Sequence, residues 1–189
     1  MGSLAEYTKK VEIGDIYKDL GLGKSISAKK VTVYVDGVEN ASQPARDITK
    51  GDDKNKYGDN GVLTEVYMND DNDVTIVMIN TYLVQATADY NKTKEEVNVN
   101  FVDNGSTNPG LDTSISQDDF DVSGVKEDDY LLVTWSKADK EFETVIPATV
   151  KSGKVTQYTE KDNVVMDGTT YKYNKLVGED EQNEQFTIN

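Results

Sequence analysis

The chain has 189 residues, 20 basic against 35 acidic side chains, a net charge of −15, and neither Cys nor His. The charge argues against nucleic acid and anionic membrane as partners, since both would repel it. The missing Cys and His exclude disulfides, thiolate nucleophiles, imidazole acid–base work and nearly every zinc or transition-metal site.

A single arginine, Arg46, leaves little from which to build a bidentate phosphate clamp. The sequence contains no apolar run long enough to span a bilayer and no signal peptide, so no membrane insertion is expected of it. Met1-Gly2-Ser3 reads as a vector-derived start, and the chain is expected to be a fragment of a longer protein.

In chain order, residues 7–13 alternate as a short strand. Asp15 is placed to cap one or two helical turns over 16–20, stopped by Gly21 and Gly23. VTVYV at 31–35 ends in Asp36-Gly37, a type I′ hairpin signal because both central residues need positive φ. Residues 40–59 carry Pro44, Gly51, Gly58 and several charges, and read as a long surface loop.

The organising stretch is GVLTEVYMNDDNDVTIVMINTYL at 61–83. Two runs rich in β-branched and aromatic residues flank Asp70-Asp71-Asn72-Asp73, which predicts a hairpin with Val66 opposite Val77 and Tyr67 opposite Ile76. The second run is apolar on both faces from Ile76 to Ile79, so both faces are expected to be buried.

Residues 84–90 and 97–102 predict another strand pair, and the loop-rich DNGSTNPG at 103–110 marks the expected domain boundary. Strands follow at 129–136, 142–146, 154–158, 164–166 and 169–173. Asp167-Gly168 joins the last two and sets Val165 against Thr170 and Val164 against Tyr171. Residues 179–185 are a charged tail, ordered only if Phe186 and Ile188 dock. Residues 62–101 and 130–166 share an order of strands and turns that suggests a tandem repeat.

The expected fold is mainly β: two small sandwich- or barrel-like modules built from hairpins, spanning 1–110 and 111–189, with at most one short helix in the body. One continuous sandwich is the alternative. Three blocks, at 59–83, 118–136 and 148–174, resemble the β-rich region of secreted Gram-positive surface proteins that carry S-layer homology domains elsewhere. The S-layer homology motif itself is absent from this sequence, so anchoring transfers to no residue here. The resemblance implies an extracellular location and a structural or adhesive role, with cell wall or neighbouring surface-protein domains as partners.

Glu141 and Glu143, with Asp139 and Trp135 nearby, suggest a carbohydrate site, since paired carboxylates are the chemistry such a composition still permits. An acidic chain produces such pairs by chance, and none lies in an apolar setting. No catalytic residue is assigned, and Trp135 is the one candidate ligand-binding residue. Tyr67, Tyr82, Tyr171 and Tyr173 lie on strands, where half-buried packing accounts for them.

Asp70, Asp71 and Asp73 at a hairpin tip offer oxygens to Ca²⁺, but neither they nor the pattern from Asp53 to Gly58 has the spacing of a calcium loop. No metal and no cofactor is expected. The function expected is a non-enzymatic spacer of a surface protein; the alternative is a module binding glycan or a host ligand.

Overall fold

The computed structural model describes residues 2–22, 30–40, 55–102, 108–177 and, for the backbone alone, 185–188. Gly23, Pro44, Arg46, Asp53 and the tail at 179–184 lie outside the described residues. The fold is mainly β, in small modules, with one helix among the described residues. Two compact units emerge: Met1–Asn80 with Asn174–Gln185, and Thr81–Tyr173 with Phe186–Asn189. The chain thus leaves the first unit at Asn80 and re-enters it at Asn174.

In the first unit the elements are β1 (Ala5–Tyr7), β2 (Val11–Glu12), α1 (Ile13–Asp19), β3 (Val31–Val35), β4 (Val38–Glu39), β5 (Lys56–Tyr57), β6 (Leu63–Met68) and β7 (Val74–Ile79). The N-cap of α1 is Glu12, with no side-chain cap, so Asp15 sits inside the first turn and caps nothing. It remains favourable there, where a carboxylate meets the positive end of the helix dipole. Gly21, at φ +72, stops the helix: its N–H and that of Leu22 return to the carbonyls of Lys18 and Tyr17, a Schellman arrangement.

The five-stranded sheet runs β1-β6-β7-β3-β4, and β2 pairs separately with β5. Asp36 and Gly37 take φ +48 and +82, so the β3–β4 turn is the type I′ hairpin that Asp-Gly predicts. The β6–β7 hairpin forms, but its register differs by one from expectation: Val66 faces Ile76, Tyr67 faces Thr75, and Val77 faces Glu65.

The cause of the shift is Asn72 at φ +64. It closes a turn in which its N–H bonds the Asn69 carbonyl and the Asn69 N–H bonds the Asp73 carbonyl. The loop is therefore three residues long, a turn followed by a left-handed residue, and not a two- or four-residue connection. This register keeps Val66 and Ile76 together on the buried face. Along β7 burial alternates, with Val74, Ile76 and Met78 buried and Val77 and Ile79 only half-buried, so one face is covered and not two. Its second neighbour is β3, paired in parallel from Val31↔Val74 to Val35↔Met78. Val31, Val33, Val66, Ile76 and Met78 join Ile13 and Ile16 of the helix in one apolar core.

The second unit contains β8 (Tyr82–Ala86), β9 (Glu96–Phe101), β10 (Ser114–Ser116), β11 (Tyr130–Ser136), β12 (Glu141–Pro147), β13 (Val155–Thr159), β14 (Asn163–Met166), most of β15 (Thr169–Leu176) and most of β16 (Gln185–Ile188). One sheet runs β10-β9-β8-β11-β12 and another β13-β14-β15-β16.

The predicted pairing of β8 with β9 is present, and β8 also pairs with β11. Strands from both sides of 103–112 therefore share one sheet. The division at 110/111 is replaced by one at Asn80–Thr81, because a loop-rich composition marks a connection without saying which strands flank it. The Asp167-Gly168 hairpin has the predicted register, Val165↔Thr170 and Val164↔Tyr171. In the suggested repeat β12 would match β7, yet β7 is flanked on both sides and alternately buried while β12 is an edge strand with no buried residue.

Candidate functional site

The expected carbohydrate site lies at the β11–β12 turn. Ser136 Oγ donates to Asp139 Oδ2 at 2.8 Å and accepts from the Asp139 N–H at 3.1 Å, and Lys140 closes the turn at φ +59. A bulge follows: Trp135 faces Phe142 and Thr134 faces Thr144, leaving Glu143 unpaired in the ladder.

The turn and bulge bring Asp139, Glu141 and Glu143 together, with carboxylate oxygens within 4.8 Å of one another, all three exposed. Such a group can offer oxygens to a hard cation. It lacks the walls that raise the pKa of a general acid, and glycoside hydrolysis needs two carboxyl groups about 5–9.5 Å apart across a bound sugar.

Trp135 is 3% exposed and packs edge-on against Phe142, with centroids 5.0 Å apart and planes at 70°. Its ring is a core element, and no face is open to stack on a sugar. A Trp between polar neighbours on a strand looks the same in sequence whether it points inward or outward.

The four strand tyrosines do not form one stripe. Tyr67 on β6 donates to Glu65 at 2.9 Å, and that bond holds its hydroxyl above the ordinary pKa. Tyr82 on β8 is buried, edge-on to Phe101 at 6.4 Å. Tyr171 and Tyr173 share a face of β15. Tyr158, which sequence reading passed over, joins them: its hydroxyl and that of Tyr173 are hydrogen-bonded, which raises the Tyr173 pKa. The Lys151 ammonium lies 5.9 Å from the Tyr171 ring centroid, a cation–π contact.

At the β6–β7 tip, the side chain of Asn69 accepts from the N–H groups of Asp71 and Asp73 at 3.0 and 2.9 Å. Hydrogen bonds internal to the turn thus organise the acidic tip. Tyr57, at a ligand position of the calcium-loop echo, is buried on β5.

The most constrained polar group falls where no site was expected. Asn80 and Asp36 are 1% and 2% exposed. The Asn80 N–H donates to Asp36 Oδ1 and its Nδ2 to Asp36 Oδ2, both at 2.9 Å. Nδ2 also donates to the Val177 carbonyl, and the Val177 N–H donates to Asn80 Oδ1, both at 2.7 Å. One amide side chain so ties the β3–β4 turn, the end of β7 and the returning segment, all within the first unit. Next to this tie in sequence, the Lys175 N–H bonds the Asn60 carbonyl at 2.8 Å. The signal in sequence was Asn80 itself, the polar break in VTIVMINTYL.

Comparison with protein-family models, curated proteins and solved structures finds no match to this chain.

Proposed function

We propose that this chain is a non-enzymatic structural module of a bacterial cell-surface protein, a spacer that holds geometry. The observation that carries the reading is the Asn80–Asp36–Val177 tie. Buried polar groups are costly unless fully bonded, and here the bonds of Asn80 and Asp36 hold three segments together.

The carboxylates support the same reading. Asp89 is held below its ordinary pKa by the Glu127 N–H and then by Lys126; Asp121 is held down by the Ser123 hydroxyl and then by Gln117. A general acid needs the opposite shift. The three blocks resembling Gram-positive surface proteins add the extracellular setting, with neighbouring surface-protein domains as partners. Among the described residues no helix is long and apolar enough to cross a membrane.

A second reading, a glycan-binding or adhesion module, draws on the cluster of Tyr158, Tyr171 and Tyr173. A glycan array and a wall-polysaccharide pulldown separate the two. The spacer reading expects a blank in both; saturable binding lost in Tyr171→Ala establishes the second reading in its place.

A further inference from the structure

Three Asn-x-Ser/Thr triplets occur in the chain, at Asn40, Asn91 and Asn104, and each has the sequence pattern of an asparagine that accepts a glycan. The structure sorts them. Asn40 is 2% exposed, so its amide is out of an enzyme's reach. Asn104 lies outside the described residues. Asn91, in Asn91-Lys92-Thr93, sits on a turn whose residues 91–95 are all exposed.

That turn opens where Asn91 bridges Glu96. It closes with the Glu95 N–H donating to the Asn91 carbonyl at 2.8 Å, Glu95 taking φ +57. Within it Asn91 Oδ1 accepts the N–H groups of Thr93 and Lys94, both at 3.0 Å. These are the side-chain-to-backbone bonds of an Asx turn, and they act on the amide in two ways. Drawing electron density to Oδ1 makes the Nδ2–H bonds more acidic. Anchoring Oδ1 on the backbone leaves Nδ2, which bonds to none of the described residues, as the open end of the side chain.

We propose that Asn91 is the acceptor of an N-linked glycan. The donor is an oligosaccharide carried on a lipid pyrophosphate, and the enzyme is an oligosaccharyltransferase. Nδ2 forms a bond to the anomeric carbon of the sugar while the bond from that carbon to the pyrophosphate oxygen breaks. The lipid pyrophosphate leaves with the electron pair, and the Nδ2 proton passes to a carboxylate of the transferase. Bacterial enzymes of this class also require a carboxylate two residues before the asparagine. Asp89 holds that place for Asn91, whereas Val38 and Val102 hold it for Asn40 and Asn104. Asp89 is exposed and fixed at the surface: Oδ1 accepts the Glu127 N–H at 3.0 Å, and Oδ2 meets the Lys126 ammonium at 3.4 Å. A glycan there adds a bulky, solubilising cover to an exposed turn. The inference rests on the surface-protein reading for the setting in which such enzymes work, and deepens it by naming a modification the module carries.

The test is transfer to the purified, folded full chain by a bacterial oligosaccharyltransferase with a lipid-pyrophosphate-linked oligosaccharide, read by intact mass and peptide mapping. The expected product gains one glycosyl unit, on Asn91. Asn91→Gln and Thr93→Ala abolish the gain, Thr93→Ser keeps it, and Asp89→Asn lowers its yield at least tenfold. Those side chains are exposed, and an unchanged circular dichroism spectrum verifies the fold of each variant. A folded chain that gains no glycan overturns the inference, as does a glycan that persists in Asn91→Gln or in Thr93→Ala. Either result leaves the spacer reading standing, because transfer is measured on the purified chain, away from its cellular location. The spacer reading falls instead on saturable binding in the glycan array.

Discussion

At the scale of single residues, Asn80 joins three segments of the first unit through four hydrogen bonds. Replacing it with Ala leaves the Asp36 carboxylate and both Val177 peptide groups short of partners, at a cost of about 3 kcal/mol. Urea denaturation monitored by Trp135 fluorescence and by circular dichroism measures it. Gly61→Ala is expected to lose about 2 kcal/mol or more, because Gly61 holds φ +82 and a Cβ there would strike the Asn174 amide. Tyr7 supplies a pH test. Burial first, and then its 2.8 Å hydrogen bond to Asp19 Oδ2, raises its pKa above the ordinary 10.0. A raised folded pKa gives stability that is complete below the ordinary value and is lost as pH rises through the folded one. Ultraviolet titration should therefore show a late-ionising fraction, which Tyr7→Phe should reduce by one tyrosine.

At the scale of elements, turns decided how much was legible. Asp36-Gly37 and Asp167-Gly168 each demand two positive φ values, and only one hairpin geometry follows, so the turn type could be read at the first and the register, residue by residue, at the second. The β6–β7 tip holds no Gly; Asn72 takes the left-handed conformation in its place, and nothing in MNDDND says which of its polar residues will do so. Asn72→Gly is expected to stabilise the hairpin by about 0.5 kcal/mol, and Asn69→Ala to destabilise it by about 1 kcal/mol through loss of its two backbone hydrogen bonds. Thermal melts of the two variants check both signs. The parallel pairing of β3 with β7 leaves no local mark, because strand partners distant in sequence are chosen by packing. The run from Val74 to Leu83 read as one strand for a similar reason: apolar continuity hides that it serves two cores, with Asn80 and Thr81 between them. Of the candidate site, the nearness of Asp139, Glu141 and Glu143 was legible from their spacing, whereas the bulge that gathers them and the inward turn of Trp135 were not.

At the scale of the whole molecule, a net charge of −15 costs stability through self-repulsion, which counter-ions relieve. We predict diffuse screening and no specific metal: calcium and sodium chloride at matched ionic strength should raise the melting midpoint equally. A rise with calcium alone, abolished in Asp71→Ala or in Glu141→Gln/Glu143→Gln, identifies a specific cation site at the tip or at the β11–β12 turn. In the middle of the chain, strands on both sides of residues 103–107 pair in one sheet. The most direct measurement is to insert a protease site between residues 104 and 107, cleave the purified full-length protein, and pass it through a size-exclusion column. A single folded species of undiminished size is expected, separating only in denaturant, because β8 and β9 on one side of the cut pair with β11 and β10 on the other. Two folded fragments eluting apart in native buffer would contradict it.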